Sequence, residues 1–498
     1  MEEWDMKTRG LLIIVCVIAL IAESLGAVGT WRNFTSMKEE VRSISREGSM
    51  YWAATSGGLF GWNSANDSYQ LFTNSEGLQS TNLTAVGVDA QGNIWTGTSG
   101  GFIHVYSQRN KTWRYIPDIA NTNQTNKQIN SITILGDTVF VCTAFGLSVF
   151  RIGRFEFSDT YSRFGSLQGN TRVSVSSVVV FNDSLWLSVS DGQSTNKVAV
   201  AALSTPNLLP PESWSLRSVG DAGAAPTQLT VFNNRLYAGT NAGLYAYASG
   251  VWNVVALSGQ NVIALSPSRT LLGVGTSSEA YTVDSQNVPL QVGGSLPFPA
   301  ICITSDVAGQ PVVGSRNGGI LKYDTSWTSH APNGPNSNSF VNIAVNIDGT
   351  VWGASGTANG KGVYRYNGKD WKSFTAENSG LPTNNYYRVS VGCDGSMWAS
   401  SWHRGVFMIP LGSDHVDSSQ IYGRNVGMSW TSNQSNDSNF IVITTALCDG
   451  SGNTWMSINT AEDSKIMVVQ KPDNTWITLP LRVGTDRMST LITNLTID

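Results

Sequence analysis

The sequence predicts an all-β fold, a seven-bladed β-propeller followed by part of a second β-propeller. Three observations predict it. A unit of about 45 residues recurs ten times along the chain. Each copy holds four short stretches with two-residue alternation, separated by Gly, Asn and Asp turns. After Leu25 no stretch keeps apolar residues at helical spacing for long enough to make a helix.

The unit is clearest in DAQGNIWTGTSGGF at 89–102, where a turn leads into an apolar or aromatic anchor, then Gly-Thr, then a small-residue turn ending in Gly-Phe. The anchors are Trp52, Trp95, Phe140, Trp186, Tyr237, Leu272, Val312, Trp352, Trp398 and Trp455. An apolar strand precedes each, as in LTAVGVD or YRVSVGC, and an aromatic outer strand follows, as in DWKSF around Trp371. One such sheet cannot bury both of its faces, and a stacked ring can, which is why the chain repeats itself. The recurrent Trp residues are therefore expected between neighbouring blades rather than on a sugar-binding surface.

Residues 27–331 read as the seven-bladed ring, with seven units from about Val41 to Ala331. PNGPNSNS at 332–339 reads as a linker, and 340–498 as an incomplete second propeller of about three blades. STLITNLTID at the end reads as the first strand of a further blade, so the natural protein is expected to continue until a second ring closes. Trp31 in GTWRNFT resembles an outer strand without a blade of its own, a candidate clasp for one of the rings.

At the other end, Lys7 and Arg9 precede an apolar run from Leu11 to Ala22 and then Ser24-Leu25-Gly26, so residues 1–26 read as a secretory signal peptide with Met6 as the working start. The run is too short to span a bilayer, and no membrane span is expected in the mature chain. Four cysteines remain beyond it, Cys142, Cys302, Cys393 and Cys448, without metal-binding spacing. They read as free thiols. Cys393 and Cys448 fall at matching places in successive repeats, where neighbouring blades are expected to hold them beyond disulfide reach.

Only 13% of the 498 residues are charged, about half the share usual in soluble domains, and the net charge is -4. That leaves no basic field for phosphates and argues against a nucleic-acid partner.

The pattern G-[NST]-x-W-x-G-[TS]-x-x-G-[LF], then Trp-x-x-[FY]-T, then Gly-Leu-x-[ST]-x-Asn resembles the two-component regulator propeller repeat. GNIWTGTSGGF, WKSFTAENSGLPTNN and FTNSEGLQSTN carry it, and it extends over essentially all of residues 41–498. The resemblance implies propellers outside the cytoplasm, either in PorZ-like, type IX secretion-associated surface proteins or in the ectodomains of hybrid sensor kinases. Neither a kinase nor a sorting domain is present in the sequence, so the choice between the two stays open.

No catalytic constellation is legible. DGSGNTW at 449–455 has one residue too many for a sialidase Asp box, and His403 and His415 have no carboxylates at informative spacing for a propeller lyase. The Asp-Gly turns lack the further carboxylates of a calcium loop, and no metal or cofactor is expected. What departs from the repeat is WHRG at 402–405, in a loop where other copies keep Gly, Ser and Asn. Trp402, His403 and Arg404 are candidate ligand-binding residues for a sugar or an anionic group, together with Arg316 and Phe145, which replace small residues at the same point of their own copies. The expected protein is non-enzymatic and exported to the periplasm, cell surface or medium of a bacterium. It would bind a carbohydrate, glycolipid or cell-surface protein. The alternatives are a sensor ectodomain and, from another class, a hydrolase or lyase on a propeller scaffold.

Overall fold

The computed structural model describes residues 32–167, 173–192, 195–220, 223–415, 420–431, 437 and 439–480, and the backbone of 482–483 and 486–487. The expected signal peptide at 1–26, the candidate clasp Trp31 and STLITNLTID lie outside the described residues. The chain divides into Met1–Phe34, in which Arg32 lies over the Phe34 ring, and Thr35–Asp498, to which everything below refers.

The described residues of Thr35–Asp498 form ten four-stranded antiparallel sheets and a two-stranded one. The first sheet runs Val41–Glu47, Met50–Thr55, Gly58–Asn63 and Ser68–Phe72, in that spatial order, and the other nine repeat the meander. Among the described residues there is no α-helix, only short 3-10 turns such as Asn74–Glu76. No helix of the described residues is long and apolar enough to cross a membrane.

The inner strands pack from one sheet to the next through the first seven, and the seventh packs back on the first. Trp95 is 1% exposed because it inserts among Ile129, Ile132, Val139 and Val141 of the following sheet. Trp52 likewise packs against Leu83, Val86 and Ile94. The anchors are thus cores between blades. Trp455 is the half-buried exception, since among the described residues no further four-stranded sheet covers it.

Several inner strands carry a bulge that skips one residue, among them Arg42, Thr84, Asn130, Ser176 and Thr227. Each skipped side chain donates to a backbone carbonyl of the next blade. Arg42 reaches Leu83 O at 3.2 Å, Thr84 reaches Ile129 O at 2.5 Å, Asn130 reaches Val175 O at 2.8 Å, Ser176 reaches Thr227 O at 3.0 Å and Thr227 reaches Val262 O at 2.7 Å. The bulge frees a residue from its own ladder and turns it onto its neighbour, which ties six successive blades by five such bonds.

Where the seventh sheet meets the first, the tie is different. The Arg316 guanidinium pairs with Glu40 at 3.3 Å, Asn317 N–H donates to Glu39 O at 2.8 Å, and Val41 packs with Val312 and Ile320. At the outer strands His330 stacks on Trp62 with ring centres 3.9 Å apart, and both contact the Asp67 carboxylate. The 332–339 segment is pinned on this seam. Asn338 exchanges hydrogen bonds with both backbone groups of Ser36, at 2.7 and 3.1 Å, and Glu39 accepts from Ser337 Oγ and Asn338 N, each at 2.9 Å.

The three sheets after residue 340 stack as an arc. The leading face leaves Val341, Ile343 and Val345 more than half exposed, whereas Val86, Val178, Leu229, Val389 and Ala446, at the register of Ile343 in other blades, are buried by a preceding sheet.

Within the arc the cysteine expectation fails. Cys393 and Cys448 form a disulfide, with Cα atoms 5.3 Å apart. They are not equivalent positions. Cys448 is the last ladder residue of Ile443–Cys448, paired with Thr454, whereas Cys393 lies beyond the end of Tyr386–Val391, in the turn. Inner strands are also where neighbouring blades come closest, so this offset brings the two sulfurs within reach. Cys142 and Cys302 are free, and burial pushes the Cys142 thiol up to about 12.

His104, fully buried in the second blade, accepts from Gln79 N–H through Nε2 at 3.2 Å and sits 3.2 Å from Thr96 Oγ1 through Nδ1. Burial lowers its pKa from 6.5 to about 4. Between those values the unfolded chain binds a proton that the folded chain refuses, so stability is full above pH 6.5 and falls as pH drops toward 4, by about 3 kcal/mol from this residue. Denaturant unfolding at pH 7.5 and 4.5 is expected to show that loss, and His104→Gln to remove its share of the pH slope. An unchanged slope in the variant would refute the assignment.

Candidate functional site

The turn between second and third strands recurs. In several blades Thr or Ser at the end of the second strand donates to the carbonyl of a Gly at the start of the third, as in Thr55 to Gly58 at 2.7 Å, Thr143 to Gly146 at 2.9 Å and Ser401 to Gly405 at 2.9 Å, while Phe102 and Glu279 take that place in the second and sixth blades. The Gly is required, because φ is +127° at Gly58 and +148° at Gly146, and a Cβ there would strike the carbonyl ending the outer strand. What lies between Thr or Ser and Gly is presented at one rim of the blade, which places the sequence-predicted candidates.

In the ninth blade the interval is Trp402-His403-Arg404. Trp402 is 38% exposed and meets the Tyr387 ring edge-on at 5.8 Å, while its N–H donates to Asn385 O. Arg404 is exposed, its N–H held by Ser401 Oγ at 2.8 Å. His403 stacks on Phe440 at 6.1 Å, and its pKa is lowered by burial and by the Arg404 charge beside it. The backbone pairs with the segment entering the tenth blade, Gly405 N–H to Ile441 O at 3.0 Å and Ile441 N–H to His403 O at 3.4 Å. The loop therefore makes a blade-to-blade contact that its sequence did not announce, and it docks beside the next blade's entry rather than standing free over an axis.

The other two candidates lie elsewhere. Arg316 is in the seventh blade, paired with Glu40. Phe145, in the third, is 4% exposed and packed in the core with Ile103, Ile119 and Ile129, so its ring is not presented to a ligand. The five residues thus belong to three separate neighbourhoods.

Sequence reasoning missed the channel of the first ring, a cavity of about 1010 Å³ lined by inner-strand residues of all seven sheets. Its walls carry Ser, Thr, Asn and Gln with Arg42 at one rim, and many of these groups already bond the next blade, as Gln228 does with both Leu265 backbone groups. The signal that could have found it is the polar residue near the start of several inner strands, Arg42, Thr84, Asn130, Ser176 and Thr227. Nothing in this lining is arranged as acid, base or nucleophile. Asp turns are also accounted for: Asp449 accepts from Ser451 N, Asn453 N, Asn453 Nδ2 and Trp455 Nε1 at 2.7 to 2.9 Å, and the Asn453 and Trp455 bonds hold its carboxyl down at about 2. Asp89 does the same for Gln91, Asn93 and Trp95. These carboxylates build hairpins and brace an anchor Trp.

With this geometry in hand, comparison places the chain among known proteins. Residues 51–215 match the family described as the N-terminal β-propeller domain of PorZ of the type IX secretion system. No curated protein matches the sequence. Among solved structures, PorZ of Porphyromonas gingivalis, described as an essential bacterial surface component of the type IX secretion system, aligns with a TM-score of 0.73 at 18% identity, covering 90% of this chain and 60% of its own. The extracellular domain of the putative hybrid two-component system BT4673 from B. thetaiotaomicron aligns with a TM-score of 0.35 at 12% identity, covering 89% of this chain and 66% of its own. The chain spans less than two thirds of either. By sequence over residues 51–215, and by fold over nine-tenths of its length, this is a β-propeller protein similar to PorZ.

Proposed function

We propose that the chain is an exported, non-catalytic propeller that offers a docking surface to a partner protein at the bacterial cell surface or in the periplasm, in association with type IX secretion. The 402–404 loop is part of that surface. Residues 27–331 serve as a seven-bladed ring, 332–339 as its pinned connection, and 340–498 as part of a second ring. The match of residues 51–215 to the PorZ N-terminal propeller carries this reading. The Cys393–Cys448 disulfide supports export, since such bonds form and persist in oxidising compartments.

The test is made in the bacterium that produces the chain, by fractionation, alkylation of free thiols, and cross-linking with mass spectrometry. The expected result is recovery outside the cytoplasm with Cys393 and Cys448 resistant to alkylation, cross-linked to secretion components, and weaker cross-linking when residues 402–404 are replaced by Ser-Gly-Gly. A cytoplasmic pool with both thiols reactive would overturn export. Recovery joined to a kinase would decide for a sensor ectodomain, and turnover of a glycan by the purified chain would restore a hydrolase or lyase.

A further inference from the structure

Beside the WHRG turn lies a groove of about 310 Å³ between the ninth blade and the segment entering the tenth. Arg404 and Arg424 both line it, with the amide side chains Asn425 and Asn439 and the aliphatic walls Ile421 and Ile441. Two guanidinium groups facing one concavity repel each other, and among the described residues no carboxylate lines the groove with them. Arg424 donates to a backbone carbonyl, Met428 O at 3.4 Å, and among the described residues neither arginine is in an ion pair. Asp437 on the entering segment turns one oxygen onto Asn439 N–H at 2.9 Å. Where an arginine of this chain does meet a carboxylate it holds it closely, as Arg365 does Asp414 at 2.6 Å.

We infer that this groove receives an extended acidic segment of a partner protein, its carboxylate held between Arg404 and Arg424 and its neighbouring aliphatic side chain against Ile421 and Ile441. Guanidinium forks match a carboxylate with two parallel hydrogen bonds, and the Asn amides can satisfy the backbone of a strand laid along the groove. A carbohydrate would leave the two aliphatic walls without a use, which favours peptide over anionic glycan. The inference deepens the docking reading above and rests on it. Fractionation and alkylation, which test export, involve neither arginine, and the cross-linking test of docking replaces Arg404 but not Arg424, so the Arg424→Ala arm can fail separately.

The probe is a fluorescein-labelled peptide of alternating Leu and Glu, followed by anisotropy with the purified full chain at about 50 mM salt, where exposed charges are least screened. An alternating Leu–Lys peptide, dextran sulfate and inorganic phosphate serve as comparisons. Binding of the Leu–Glu peptide is expected to weaken roughly tenfold in Arg404→Ala and in Arg424→Ala, and to stay unchanged in Arg269→Ala, which removes an exposed arginine of the sixth blade, with the same melting temperature in all three. Equal binding of the Leu–Lys peptide, or affinity indifferent to both groove arginines, would overturn the inference. So would dextran sulfate or phosphate competing through those arginines while the Leu–Glu peptide fails to bind, because the groove would then take anionic glycans or phosphate.

Discussion

Double replacement of Cys393 and Cys448 by serine is expected to destabilise the arc of residues 340–480 by on the order of 4 kcal/mol. The bond closes a loop of 55 residues, so in the chain-entropy account its loss returns the whole of that freedom to the unfolded state. The arc has less to fall back on than the first ring. Its leading face exposes Ile343 and Val345, and its last sheet leaves Trp455 half-buried, so among the described residues neither end is covered by a further four-stranded sheet. Hydrogen exchange of residues 386–480, with and without reductant and in the double variant, measures the effect. Protection should collapse there and persist in residues 41–330. A loss below about 1 kcal/mol would mean that side-chain packing alone holds the ninth and tenth blades together.

Trp95→Ala should cost about 3 to 5 kcal/mol. The indole is 1% exposed, its ring meets Phe150 of the next blade edge-on at 5.4 Å, and its N–H donates to Asp89 at 3.0 Å. Truncation leaves a cavity between two sheets that cannot collapse without moving a whole blade. It also removes a donor from the carboxylate that organises the 89–93 turn. Trp95→Phe keeps most of the packing and should cost clearly less. Chemical denaturation at pH 7.5 reads both, and an unchanged midpoint for the alanine variant would contradict the assignment of the repeated anchors to the cores between blades.

The fold was legible because a repeat multiplies weak signals. No single copy proves four strands, yet ten copies fix where each anchor and each turn falls. Residues whose role depends on an offset between copies were less legible. Cys393 and Cys448 look equivalent when the Asp-Gly turns are aligned, but the longer turn before Trp455 shifts one against the other, and that shift makes the disulfide. Phe145 occupies the place of a small residue in other copies, and the ring folds inward because Ile119 and Ile129 offer it an apolar seat. For Trp402, His403 and Arg404 the composition was informative and the surroundings were not. Phe440 and Ile441, which His403 and Gly405 meet, come from the next blade some forty residues on.

The seam that joins the seventh blade to the first also sets a clock. Ser36 is bonded to Asn338, 302 positions later, and Glu40 waits for Arg316. At about 5 to 20 residues per second, a ribosome needs on the order of 15 to 60 s between making one side of that seam and the other. Throughout that interval the inner strand Val41–Glu47 presents Val41 and Ile44 to whatever is nearby. A chain built this way is best served by a companion that shields its beginning until its seventh blade arrives.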